Sequence, residues 1–204
     1  MRVLDELPYA FSWTAPQPAF MQRTSHALAT SSGVFLIDPV DEPGLDTRLE
    51  RLGRVAGVIQ LLDRHDRDGK TLAHRYGVPL HRVPRTAIPG APFEVRTVLR
   101  TRFWQEVALW WAEHRMLVVA EAVGTPPYYR GPGELVGVHP LLRLVPPRML
   151  VEFAPEHLLL GHGEGLHGPE ATAALKQAVV GARRNAGPWA VSQALSRVRG
   201  KRPG

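Results

Sequence analysis

A chain of 204 residues, 44% apolar and 22% charged, is long enough for one well-buried domain and too balanced in composition for a disordered chain. Nineteen Pro and nineteen Gly divide it into short elements, which argues against a helix bundle, and no apolar run reaches the length of a membrane span. The absence of Cys excludes disulfides and thiolate metal sites, so any zinc or iron must be held by His and carboxylate.

The lack of Cys, with no basic-then-apolar leader at the N-terminus, points to a cytoplasmic protein with no membrane partner. A net charge of +6 invites a nucleic-acid reading. Much of the excess, however, lies in Arg183, Arg184, Arg197, Arg199, Lys201 and Arg202, with Trp189 as the lone aromatic among them. A stacking platform needs more than one ring, so nucleic acid is not the expected partner. The expected division is a domain over 1–185 and a basic tail over 186–204.

Taken in order, residues 1–24 mix Pro8, Pro16 and Pro18 with Tyr9, Phe11, Trp13 and Phe20, and predict an irregular or edge-strand opening. Ala27 to Pro39 predicts a hairpin turned at Ser31-Ser32-Gly33, its second strand ending at Asp38. Leu45, Leu49 and Leu52 at helical spacing predict a short amphipathic helix. The run Val58-Ile59-Gln60-Leu61-Leu62 predicts a buried strand that empties into Asp63-Arg64-His65-Asp66-Arg67-Asp68-Gly69. A helix over 71–76 and an extended segment over 78–83 complete a strand-loop-helix-strand unit.

That polar loop has two readings. Asp63, His65, Asp66 and Asp68 carry groups that ligate divalent cations, whereas Arg64 and Arg67 cannot, because a guanidinium has no free lone pair. The plainer reading is a solvated loop that neutralises its own charge.

Further on, Phe93 to Arg102 alternates as a half-buried strand should. Val107–Trp111 and Met116–Ala120 form a strand pair that delivers Glu121. A strand over 157–160 empties into Gly161-His162-Gly163, and 169–184 is helical by pattern. Trp104, Trp110 and Trp111 are expected to pack between layers, with the adjacent pair on opposite faces. His139, before Pro140, and the Tyr128-Tyr129 pair are rim candidates whose simpler reading is turn geometry and loop packing. No Ser lies in a Gly-x-Ser-x-Gly turn, so a serine nucleophile is not expected.

Three strand ends thus carry polar groups: Asp63 to Asp68, Glu121 and His162. In this order they resemble the metallo-β-lactamase superfamily, from about Ser25 to the helix after Gly168. Val34-Phe35-Leu36-Ile37-Asp38 looks like the family's strand ending in Asp. Asp63 to Asp68 falls where the HxHxDH loop stands, Glu121 where an Asp bridges two metals, and Leu160-Gly161-His162-Gly163 resembles the late Gly-His-Gly. The resemblance implies an α/β fold, the family's four-layer αββα sandwich.

It also implies a metal-assisted hydrolase of ester, thioester or phosphoester type with catalytic residues Asp63, His65, Glu121 and His162. The metal ligands carried over are His65, Glu121 and His162, with Asp38 orienting the loop from behind.

The departures are as informative. Only the second His of the HxHxDH loop is kept, as His65; Asp63 and Asp68 replace His, Arg67 replaces the metal-binding Asp, and no His stands near Arg102-Phe103-Trp104. A dinuclear centre is therefore not expected; the choice is no metal or one divalent metal, zinc or iron. In the metal-free alternative Arg64, Arg67 or Arg102 supplies the positive charge and pairs with Asp63, Asp68 and Glu121. The competing function is a non-catalytic binder in which Arg64, Arg67, Arg102, Asp68 and His139 hold an anionic small molecule or a protein partner.

Overall fold

The computed structural model describes residues 1–15 and 21–200, with the backbone alone for 197–200. The first half of the chain builds β1 (Arg2–Leu7), β2 (Ala10–Thr14), β3 (Thr24–Thr30), β4 (Gly33–Ile37), α1 (Leu45–Leu52), β5 (Val55–Gln60), α2 (Gly69–Tyr76) and β6 (Leu80–Arg82). These strands form one sheet in sequence order, antiparallel from β1 to β4 and parallel from β4 to β6. The two parallel crossovers are α1 and α2, as parallel pairing requires.

The second half supplies β7 (Glu94–Arg100), β8 (Gln105–Trp111), β9 (Met116–Val119), β10 (Val123–Gly124), β11 (Gly137–Val138), β12 (His157–Leu160), β13 (Leu166–His167), α3 (Pro169–Gly181) and α4 (Ala186–Gly200). The second sheet runs β13-β12-β9-β8-β7, with β12 parallel to β9, while β10 and β11 pair separately.

Alternation along the strands assigns the layers. In β4 and β5, Phe35, Ile37 and Ile59 join the large core shared with the second sheet. Their neighbours Val34, Leu36 and Val58 join a second core, with Leu45 and Leu49 of α1 and Leu72 of α2. Ala171, Ala174, Leu175 and Ala178 of α3 pack into the large core from the opposite side. The order is helix, sheet, sheet, helix. Trp111 and Phe35 both pack against Phe93, whereas Trp110 packs on Phe153. The adjacent tryptophans do point to opposite faces, so only Trp111 lies between the sheets.

One expectation holds and one is corrected here. The opening supplies the edge strand of the first sheet, β1, paired with β2 through a register shift between Val3 and Glu6, and β2 is buried because Phe11 and Trp13 cover the core under α1 and α2. Pro16, Pro18 and Phe20 lie outside the described residues. Residues 186–200, read as a tail, form α4, which Trp189 anchors by donating its indole N–H to the Tyr128 carbonyl at 2.8 Å. Lys201 and Arg202 also lie outside the described residues.

The sheets are joined at one rim. Arg23 bridges to His162 and Leu62 to Glu106, so each sheet borrows a residue of the other beside the ends of β5, β9 and β12. Gly161 is required there, since a Cβ at this position would overlap the Ala120 carbonyl oxygen.

Candidate functional site

Because β4 and β5 are parallel, as are β9 and β12, Asp38, the loop after Leu62, Glu121 and His162 emerge on the same edge of the sandwich. His65, Glu121 and His162 are all buried and offer ligand atoms within 4.8 Å of one another. Three residues far apart in sequence therefore meet, at a cavity of about 180 Å³ that Arg23, Arg64, Asp66 and Arg67 also line.

The proton positions follow from the partners. His65 Nδ1 lies 2.8 Å from Oδ2 of Asp38, whose other oxygen accepts the Leu61 N–H at 2.9 Å. The neighbouring His65 and Arg67 hold Asp38 below the usual carboxylate range despite its burial. An ionised carboxylate only accepts, so Nδ1 carries the proton. Burial, reinforced by Arg67, lowers the His65 pKa, and the ring is neutral with its Nε2 lone pair exposed to the cavity. His162 repeats the pattern: Nδ1 donates to the Met21 carbonyl at 2.8 Å, and burial with Arg67 holds the imidazole well below its ordinary value. Its Nε2 is buried without a hydrogen-bond partner among the described residues.

Glu121 faces these lone pairs. Its Oε2 accepts from Arg64 Nε at 3.2 Å and stands 3.7 Å from His65 Nε2. His139 approaches Oε1 with Nε2 at 3.4 Å, while its Nδ1 accepts the Leu141 N–H. Burial pushes the His139 pKa down to about 4, so this ring is neutral, and with Nδ1 accepting from Leu141 its proton sits on Nε2, facing Glu121. Two imidazole lone pairs and a carboxylate converge with no proton between them. Such a set is complementary to a cation, and two His with one Glu is a donor set of catalytic zinc sites. The residues present fit one metal, and Asp38 and the Met21 carbonyl orient the two rings as outer partners of ligating His do.

Arg67 does not pair with Asp63, Asp68 or Glu121 as expected. Its guanidinium donates to the carbonyls of Thr24 at 2.6 Å, Asp38 at 3.0 Å and Gly161 at 3.1 Å. It ties β3, the end of β4 and the end of β12 together where the two sheets meet, adding to the bonds that the Gly161 carbonyl accepts from Thr24 N–H and the Asp38 carbonyl from Ser25 Oγ. Arg64 does meet Glu121, and its guanidinium lies 3.8 Å from the Trp104 ring centroid.

The other sequence candidates fall outside the cluster. Asp63 turns to β8, where Oδ2 accepts the Gln105 N–H at 3.2 Å. Asp68 accepts the Asp41 N–H at 2.9 Å, because α2 begins at the next residue and directs it to the loop after β4. Arg102 is exposed, stacked over Phe103, because the Thr101–Trp104 turn closes on itself and throws its middle residues outward. His139 borders the site from the far side of Glu121.

Glu106 was not anticipated. Fully buried on β8, it accepts the Glu121 and Ala122 N–H groups at 2.9 and 3.0 Å through Oε1 and the Trp104 indole at 2.8 Å through Oε2. Burial pushes its pKa up to about 7. The available signal was a lone carboxylate opening the apolar run Val107–Trp111.

No family model matches the sequence, and no curated protein matches it. Solved structures do match over most of the chain. A metallo-β-lactamase from Pontibacter korlensis is 14% identical over 88% of this chain and 98% of that one, with a TM-score of 0.61. DIM-1 metallo-β-lactamase is 12% identical over 91% of this chain and 96% of that one, with a TM-score of 0.57. Rubredoxin oxygen:oxidoreductase from the anaerobe Desulfovibrio gigas is 13% identical over 89% of this chain but 61% of that one, with a TM-score of 0.62. At such low identity the shared feature is the arrangement of the two sheets and their helices, and on that arrangement this chain has the metallo-β-lactamase fold.

Proposed function

We propose that this protein is a hydrolase whose His65, Glu121 and His162 hold one divalent metal, zinc or iron, with Arg67 rather than a second metal at the centre. The observation that carries this reading is the meeting of two deprotonated imidazole nitrogens and a carboxylate within 4.8 Å of one another, the buried Nε2 of His162 having no hydrogen-bond partner among the described residues. When bound, the metal supplies Lewis acidity toward a carbonyl or phosphoryl oxygen.

The chain's own residues do the rest. Asp38 holds His65 in one tautomer and the Met21 carbonyl does the same for His162. Glu106 fixes the backbone that carries Glu121. Arg23, Arg64 and Arg67 give the cavity a positive wall that attracts an anionic substrate. Asp66 lines the same cavity, and its carboxylate has no partner among the described residues. It takes the proton of the attacking water and returns it to the leaving oxygen or sulfur.

Elemental analysis, followed by a screen of ester, thioester and phosphoester substrates with added zinc, manganese or iron, tests this. The expected result is stoichiometric metal and metal-dependent turnover, both lost in His162→Ala. Failure of the protein to take up any of these metals would overturn it. The arginine-lined wall also supports a second reading, a non-catalytic binder of anionic small molecules. Thermal stabilisation by such a compound, without turnover under any metal, would favour that one.

A further inference from the structure

A second cavity of about 630 Å³ adjoins the first, and Arg64 and Glu121 line both. Its walls come from the β7–β8 turn and the segment around His139–Val145, and they are mainly apolar. Phe103, Leu141 and Val145 project from these walls with 81, 78 and 67% of their surface in water. A large aromatic and two aliphatic side chains held open around one groove are complementary to an apolar occupant. The groove floor is Trp104, whose ring is fixed by its bond to Glu106 and by the Arg64 guanidinium lying over it.

The two cavities differ in size and character. The smaller is lined by three arginines and admits only a compact charged group, whereas the larger has the size of a small-molecule site. Their shared boundary is the Arg64–Glu121 pair, so one ligand lying across both places its charged group beside Arg67 and its apolar body against Phe103 and Leu141.

From this continuity and charge complementarity we infer that the substrate is a small amphipathic anion, an apolar chain joined through the hydrolysable ester, thioester or phosphoester bond to a compact anionic group, with its chain in the Phe103–Leu141–Val145 groove. The inference rests on the reading that the His65–Glu121–His162 cavity is the reaction site.

Binding of acetate, hexanoate, octanoate and octyl phosphate to the metal-free protein, followed by titration calorimetry below micelle-forming concentrations, tests the groove without turnover. Each methylene that enters it should tighten binding by up to roughly four-fold, so octanoate should bind at least about 30-fold more tightly than acetate. Octyl phosphate against octanoate decides which headgroup the arginines prefer. Phe103→Ser with Leu141→Ser, both at exposed positions, should abolish the chain-length dependence and leave weak acetate binding and thermal stability unchanged.

Equal affinity along the series, or a dependence that survives the double substitution, would overturn the inference. So would protein binding to phosphatidylcholine–phosphatidylglycerol vesicles through Phe103 and Leu141 without any octanoate binding, which would assign the patch to a lipid surface. Chain-length-dependent binding with no turnover in any metal would sink the hydrolase reading alone. Turnover indifferent to chain length would sink the groove alone.

Discussion

The Asp38 carboxylate lies 2.8 Å from Nδ1 of His65, and that contact decides which nitrogen of the ring faces Glu121 and His162. Asp38 has φ +43°, a left-handed conformation that Asn also tolerates. Asp38→Asn should therefore fold normally while losing the fixed tautomer. Zinc affinity should drop roughly 10- to 100-fold, measured by competition with a chromophoric chelator. Unchanged affinity would show that the ring does not ligate through Nε2.

Arg67 has two opposed effects. It satisfies three carbonyls at the junction of the sheets, and its charge lowers the pKa values of His65 and His162. Arg67→Met should lower stability by roughly 2–4 kcal/mol and at the same time raise metal affinity in the fraction that remains folded. Denaturant unfolding and metal titration read the two effects separately. Lower stability with weaker metal binding would mean that the guanidinium's main role at the site is positioning.

His26 is buried beside Ser12, 2.8 Å from Nδ1 to Oγ, with Nε2 unpartnered among the described residues. Burial pushes its pKa from 6.5 down to about 4. In that window the unfolded chain binds a proton that the folded protein does not. The His26 contribution is thus fully present above 6.5 and is lost as pH falls toward about 4, at most about 3 kcal/mol in all. Urea unfolding across this window should show the loss, and His26→Gln should reduce its slope, leaving the part contributed by the other buried histidines, His65, His139 and His162. The buried Glu106, raised to about 7, acts in the opposite sense, stabilising as pH falls below 7. An identical pH slope in His26→Gln and the parent would refute the assignment.

Gly161 allows β12 to end against Ala120 while its own carbonyl accepts from Thr24 N and Arg67. Gly161→Ala inserts a methyl into a backbone carbonyl, and neither strand can retreat without breaking the rim. A loss of about 2 kcal/mol or more is expected, together with weakened metal uptake through the displaced His162. Thermal unfolding with and without zinc checks both.

The sequence by itself determined the succession of elements. Leucines at helical spacing specified α1, the alternation in Phe93 to Arg102 specified β7, and the abrupt change from Leu62 to Asp63 marked a strand emptying into a polar loop. These signals are local, because periodicity records which face of an element meets the core. Local order also carried the likeness of His65, Glu121 and His162 to a known arrangement.

What only the tertiary structure decided is where each side chain finds its partner. Asp63, Asp68 and Arg102 had the right chemistry but turn to β8, to the loop after β4 and to solvent. Arg67 bonds to carbonyls from three separate segments, and Glu106 serves the backbone of Glu121 from a neighbouring strand. Such pairings depend on how strands and sheets abut across as many as 94 residues of chain, and a pattern that repeats every two or four residues carries no record of that distance.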